Sequence, residues 1–144
     1  MAQVLEDGTL EHGCYGPLPG PVQTVPRAEL WAICEALARA LGAIRIHTDH
    51  KPIVDGLLHG KEWALVPARV NADLWRRLWY LIDDLGGLGP NVQIVWAKAH
   101  QAGDSLDARG NNWADTMAKF GAAEHEIEKA VIKEANLVKA RPAR

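Results

Sequence analysis

Cysteine is scarce in this chain, and neither sign of charge is in large excess. Among 144 residues there are two cysteines, Cys14 and Cys34, which fit neither a disulfide framework nor a metal-binding spacing. We therefore expect reduced thiols. The net charge of −2 provides no basic field of the kind that attracts nucleic acid. A local basic patch or bound cations can do the same work, so nucleic-acid binding is disfavoured but stays open.

Long apolar runs are also missing. No stretch reaches the length of a transmembrane helix, and the first residues, MAQVLEDG, lack the basic and apolar regions of a signal peptide. We expect an intracellular protein, nuclear or cytoplasmic, that is neither secreted nor bound to a membrane. The apolar content of 48% suffices for a hydrophobic core, and the length suits a single folded unit.

Segments with the periodicity of strands and helices alternate after residue 25, which favours an α/β layer fold. The stretch GPLPGP at residues 16–21 cannot be regular structure. Residues 61–69 and 97–109 are predicted to be irregular. The elements that we predict are a hairpin of Ala2–Glu6 and Thr9–Tyr15, a helix from about Pro26 to Leu41, a strand at Ala43–Thr48, helices at Pro52–Leu58 and Asn71–Leu85, a strand at Val92–Trp96, and helices at Asn111–Phe120 and Glu124–Val138.

Acidic residues stand at the ends of three of these elements. Glu29 lies near a helix start, Asp49 follows a strand, and Asp115 lies near the start of a later helix. Sites in α/β folds gather at such positions, and clustered carboxylates repel one another unless a cation lies between them. Hard oxygen ligands favour Mg²⁺ or Mn²⁺, and two such ions can bridge a scissile phosphate. His100, in a polar loop, is a candidate for proton transfer or product release.

Taken singly, each of these residues has a simpler explanation. Glu29 near a helix N-terminus would interact favourably with the helix dipole, and Asp49 after a strand would serve as an N-cap. His100 would be a solvated surface residue. Only the joint placement of these residues in one alternating fold favours a catalytic site.

Four segments together resemble the type 1 ribonuclease H domain: QTVPRAELWAICEAL, IRIHTDHKPIVDGL, NADLWRRL and IVWAKAHQAGDSLDARGNNWADTMA. The RAEL helix start, the TD strand end, the loop histidine and the GNNWAD helix occur in the family's order and at similar intervals. The resemblance implies a mixed sheet flanked by helices over residues 1–122. Residues 123–144 would then form a C-terminal helix and tail.

The resemblance also implies a function. Members hydrolyse the RNA strand of an RNA–DNA hybrid and leave 5′-phosphate and 3′-hydroxyl ends. Glu29, Asp49 and Asp115 would hold two Mg²⁺ (or Mn²⁺) ions, and His100 would be the mobile histidine. Thr24 and Asn71 match positions that bind a phosphate of the DNA strand in eukaryotic relatives.

Tryptophan is the remaining signal, with six in the chain. Trp63 lies where those relatives place tryptophans that line the DNA-binding channel, although packing in the core is the commoner role. We expect the other five to pack in the core or between helices: Trp31, Trp75, Trp79, Trp96 and Trp113.

Two features depart from the family. Its first strand, which is central in the sheet and ends in a catalytic aspartate, has no counterpart before Glu29, so the chain is interpreted as N-terminally truncated, with unpaired strand edges. Asp7, in Asp7-Gly8-Thr9, imitates that aspartate but lies only 22 residues before Glu29. Val25-Pro26 replaces polar residues that sense RNA, which would weaken discrimination against DNA.

Because one ligand is missing, the activity of this chain is expected to be impaired. Two further interpretations therefore stay open: a non-catalytic nucleic-acid-binding remnant, and a ribonuclease H segment of a retroelement polyprotein. An unrelated α/β protein with coincidental carboxylates is the remaining alternative.

Overall fold

A computed structural model describes residues 1–4, 10–13, 16–97, 109–110 and 112–123 of the chain. Helices and strands alternate in this part, as expected of an α/β protein. The elements in chain order are β1 (Ala2–Val4), β2 (Leu10–Gly13), α1 (Val25–Arg39), β3 (Ile44–Thr48), α2 (Lys51–Leu58), α3 (Lys61–Ala64), α4 (Ala72–Asp84), β4 (Val92–Trp96) and α5 (residues 112–123).

The described strands form two separate pairs. β1 and β2 are antiparallel, as predicted for the hairpin, whereas β3 and β4 are parallel and in register from Ile44 opposite Val92 to Thr48 opposite Trp96. Parallel neighbours need a long crossover connection, which α2, α3 and α4 supply here. The described chain therefore combines antiparallel and parallel pairing, although it does not join the two pairs into one sheet.

Helix α1 begins where the sequence indicated. Thr24 is its N-cap and accepts a hydrogen bond from the Arg27 backbone N–H at 3.4 Å, while Pro26 occupies the first turn, where its missing N–H is tolerated. One face of α1 packs against α4. On the polar side of this contact, Arg77 Nη2 donates to Glu35 Oε1 at 2.9 Å, and the Arg77 guanidinium lies 4.7 Å from the centre of the Trp31 ring.

The core lies between α1, α4 and the inward face of the β3–β4 pair. Ile44 and Ile46 lie on that face and are partly buried, whereas Arg45 and His47 on the other face are exposed, as alternation requires. Burial raises the pKa of the Cys34 thiol to about 12, so this cysteine is an inert core residue. The fully buried side chains that fill the centre are Leu30, Cys34, Leu37, Leu78, Ile82 and Val92.

Several expectations from the sequence are wrong. A short helix, α3, occupies part of the segment predicted to be irregular. Leu41 is fully exposed because α1 has already ended at Arg39. Trp75 and Trp79 are buried and Trp31 is partly buried, but Trp96 is 49% and Trp113 37% exposed, so these last two are not core residues.

Other predictions fall outside the described residues. The helix predicted at Glu124–Val138 lies there, and so do His100, Asp7 and Cys14. The division into residues 1–122 and 123–144 stays a prediction. In the described part of the chain, no helix has both the length and the apolar character needed to cross a membrane.

Candidate active site

Glu29 lies in the second turn of α1, with its side chain half-buried. The first turn of α1 contains no acidic residue, and the favourable effect of a helix dipole on a carboxylate fades beyond that turn. The explanation of Glu29 as a dipole-stabilising residue is therefore wrong. Its neighbour Leu30 is buried in the core, which holds this turn of the helix in place.

Asp49 follows β3 directly and is half-buried. The buried Thr48 closes the turn after the strand, because its Oγ1 accepts a hydrogen bond from the His50 backbone N–H at 3.1 Å. The N-cap of α2 is His50, and no side chain caps this helix. The explanation of Asp49 as an N-cap is therefore also wrong, and its carboxylate has no structural role of that kind.

Asp115 reaches the site from α5, where it is half-buried. Two glycines, Gly121 on this helix and Gly13 on β2, let other parts of the chain pack closely against α5. A Cβ added at Gly121 would lie 2.5 Å from the Gly16 carbonyl oxygen, and one added at Gly13 would lie 2.7 Å from Met117 Sδ. The absence of side chains at these two glycines allows α5 to lie against the hairpin and the following loop.

The charges of Asp49 and Asp115 act on Glu29 through space. Burial is the largest cause of the raised pKa of Glu29, and the negative charges of Asp49 and then Asp115 raise it further. The positive N-terminus acts in the opposite direction. Glu29 therefore carries its charge against both desolvation and the repulsion of two acidic neighbours.

The donor set has the chemistry of a hard-cation site, since it consists of carboxylate oxygens without sulfur. However, within residues 1–4, 10–13, 16–97, 109–110 and 112–123, no three or more histidine, cysteine, aspartate or glutamate side chains are grouped closely enough to hold a metal ion. The charges of Asp49 and Asp115 therefore act on Glu29, but the three carboxylates are not grouped as ligands around a single point.

Thr24 and Asn71 lie at the N-termini of α1 and α4, and Arg27 connects them. Its backbone N–H donates to Thr24 Oγ1, and its Nη1 donates to Asn71 Oδ1 at 3.2 Å. The same guanidinium forms two bonds with Asp73, from Nη1 to Oδ1 at 3.0 Å and from Nη2 to Oδ2 at 2.7 Å. This paired hydrogen bonding is the largest cause of the lowered pKa of Asp73, which is about 2.

The sequence analysis missed both Arg27 and Asp73. One available signal was the position of Asp73 in the first turn of α4, where a carboxylate is favoured and can attract a cation. Nothing in the spacing indicated that its partner would come from α1, because the two residues are 46 positions apart.

Trp63, on α3, is surrounded by other rings and a cation. Its ring stacks on His59 with 5.1 Å between ring centres, and it meets Trp75 edge-on at 5.6 Å. The Arg69 guanidinium lies 3.5 Å from the centre of the Trp63 ring, and Arg69 Nε donates to the Trp63 carbonyl oxygen at 2.8 Å. Much of this ring is therefore engaged within the protein.

Comparison with known proteins assigns the chain to a class. The family model described as RNase H matches residues 2–123. The chain therefore belongs to the ribonuclease H family, a class of nucleases that generally use divalent metal ions and bind RNA–DNA hybrids. No match was found among curated proteins.

Proposed function

We propose that this chain is a ribonuclease H-type endonuclease that hydrolyses the RNA strand of an RNA–DNA hybrid. The observation that supports this most is that the charges of Asp49 and Asp115 raise the pKa of Glu29, which requires acidic residues from three separate elements to lie within electrostatic range of one another. Family membership supplies the reaction class, and the carboxylates supply the chemistry it needs.

In this proposal Glu29, Asp49 and Asp115 hold two Mg²⁺ or Mn²⁺ ions. When bound there, divalent ions would supply an activated water and would stabilise the departing 3′ oxygen. A bound cation would also relieve the repulsion that Glu29 experiences from Asp49 and Asp115. His100 assists by carrying a proton or by helping the product to leave.

Three residues complete the proposed substrate site. Thr24 and Asn71 contact a backbone phosphate of the DNA strand, and Trp63 lies along the DNA-binding channel. Because neighbouring side chains engage the Trp63 ring, it contributes shape to the channel together with Arg69, whose cation lies over its face.

Cleavage of a hybrid tests the proposal directly. The purified full chain is incubated with 5′-labelled RNA annealed to DNA, in Mg²⁺ or in EDTA. We expect Mg²⁺-dependent RNA fragments with 3′-hydroxyl ends and an intact DNA strand. Asp49→Asn should reduce the rate by at least ~10²-fold, the scale of losing one electrostatic stabiliser of a transition state. Asp84→Asn, an exposed carboxylate on α4, is the matched control and should leave the rate unchanged.

A second candidate function is hybrid or DNA binding without cleavage. The observation that favours it is that the described residues do not group three potential ligands tightly enough for a metal ion. Salt-dependent binding with no Mg²⁺-dependent product would establish this candidate. If cleavage occurs and Asp7→Asn abolishes it, Asp7 completes the ligand set, and the expectation of impaired activity is wrong.

A further inference from the structure

Arg27 is placed between two side chains that the proposed function assigns to phosphate binding. Its backbone N–H donates to Thr24 Oγ1, and its guanidinium donates to Asn71 Oδ1. A guanidinium and a backbone N–H can only donate, so both contacts occupy acceptor atoms. Thr24 and Asn71 can therefore offer a ligand their donor groups, which are the Thr24 hydroxyl proton and the Asn71 amide Nδ2.

The backbone of Asn71 adds a second constraint. At φ 59° it is the one non-glycine residue in the described part of the chain with a left-handed conformation. Asparagine tolerates this conformation better than most residues, and here it lies directly before α4. The backbone and the bond from Arg27 together fix both the position of the Asn71 side chain and which end of its amide faces outward.

The charge of Arg27 is already matched within the protein. Asp73 binds the guanidinium through both carboxylate oxygens, and the Arg27 side chain is only 19% exposed. A cation whose charge is matched in this way, and whose side chain is only 19% exposed, attracts a phosphate less strongly than an unpaired cation would. Arg27 is better suited to hold its neighbours than to touch the nucleic acid.

We propose that Arg27 is a positioning residue that presents the Thr24 hydroxyl and the Asn71 amide as a pair of donors to one backbone phosphate. This inference rests on the proposed function, and it adds the device that orients the phosphate contact. Asp73 has a supporting role, because its two hydrogen bonds hold the guanidinium plane in the orientation that reaches Asn71.

The test measures hybrid binding in EDTA, so that it is independent of cleavage. Fluorescence anisotropy of a labelled RNA–DNA hybrid gives Kd over a range of salt concentrations for the full chain. We expect Arg27→Met and Arg27→Lys to weaken binding alike, by about tenfold, the scale of losing a hydrogen bond to a charged group. Lysine keeps the charge but lacks the planar fork that bonds Asp73 and Asn71 together. The matched control is Arg39→Met at the other end of α1, which should leave Kd unchanged.

The salt dependence separates positioning from direct contact. A direct phosphate ligand contributes about 0.9 to the slope of log K against log salt for duplex DNA, and replacing it with methionine removes that contribution. A positioning residue leaves the slope unchanged while the affinity falls. Retention of affinity by Arg27→Lys together with a smaller slope for Arg27→Met would overturn the proposal.

A double-mutant cycle keeps the test decisive if the Arg27 variants are less stable. Asn71→Gly removes the amide and accepts the left-handed backbone without strain. In that background, Arg27→Met should cost clearly less affinity than it does in the wild type. Equal costs in both backgrounds would overturn the positioning role alone, whereas a wild type that binds no hybrid would remove the proposed function and this inference with it.

Discussion

Glu29, a proposed metal ligand, lowers the stability of the metal-free fold when its carboxyl group is ionised. Its carboxylate is partly removed from water and faces the negative charges of Asp49 and Asp115, so its pKa is raised. A carboxyl group whose pKa is higher in the folded than in the unfolded state disfavours folding once it is ionised. The unfavourable contribution develops as the pH rises from the ordinary carboxyl pKa through the raised value, and it is complete above that value.

Replacing Glu29 with glutamine should therefore stabilise the metal-free protein. At pH 7 in EDTA, we expect Glu29→Gln to melt at a higher temperature than the wild type, because the variant has no charge to desolvate. Below about pH 4, where the wild-type carboxyl group is protonated in both states, the difference should disappear. Thermal melts followed by circular dichroism at the two pH values measure this. A variant that melts lower than the wild type at pH 7 would contradict the electrostatic account.

At the scale of single residues, the sequence predicted where a residue lies along its element better than it predicted which side chains surround that residue. The placement of Glu29 near the start of a helix and of Asp49 directly after a strand was predictable from short motifs, whereas their role in a site stays a prediction. The pairing of Arg27 with Asp73 was not predictable, since it depends on how α1 packs against α4. The exposure of Trp96 could not be predicted either, because it depends on the packing around the end of β4 and not on the hydrophobicity of the residue.

Among the elements, the packing of α2 depends on a glycine, Gly56. Gly56 is buried, and a Cβ added there would lie 2.6 Å from Trp75 Cη2 and 2.9 Å from Trp63 Cζ3. These two rings meet edge-on and cannot both withdraw easily. The glycine thus allows α2 to approach the aromatic cluster formed by His59, Trp63 and Trp75.

Gly56→Ala should destabilise the protein in spite of the better helix propensity of alanine. Overpacking a tight site costs typically ~1–3 kcal/mol, which exceeds or offsets the ~1 kcal/mol gained by replacing a helical glycine. Urea denaturation compares the free energies of unfolding. Gly42→Ala is the control, because open space surrounds that position, and it should have little effect. Equal behaviour of the two variants would show that α2 does not pack against the rings as described.

The elements themselves were largely predictable from periodicity and end signals. The start of α1 was predicted near Pro26 and lies at Val25, directly after the N-cap Thr24, and the strand Val92–Trp96 has the predicted bounds. Helix α3 was missed because four residues are too few to show a period. The exposure of Leu41 was missed because an apolar residue in helical register looks like core until the helix is known to end at Arg39.

For the whole molecule, we propose that the fold brings three acidic residues that are distant in sequence to one site. Glu29, Asp49 and Asp115 come from α1, from the end of β3 and from α5, and the charges of the two aspartates raise the pKa of Glu29 although they are far from it in sequence. Asp49 follows the strand β3, which pairs in parallel with β4, and Asp115 lies on α5, which packs against the hairpin. The interpretation of the chain as N-terminally truncated stays a prediction at this scale.

Direct titration of a divalent ion tests most plainly whether these carboxylates form one site. Mn²⁺ is added to the full-length protein, and the free ion is measured by electron paramagnetic resonance for the wild type, Glu29→Gln, Asp49→Asn and Asp115→Asn, with Asp84→Asn as the control. The account predicts that the wild type and the control bind Mn²⁺ and that each of the other three variants binds at least about tenfold more weakly, the lower end of what losing even an outer partner costs a metal site. Undiminished binding by all three variants, or no binding by the wild type, would contradict it.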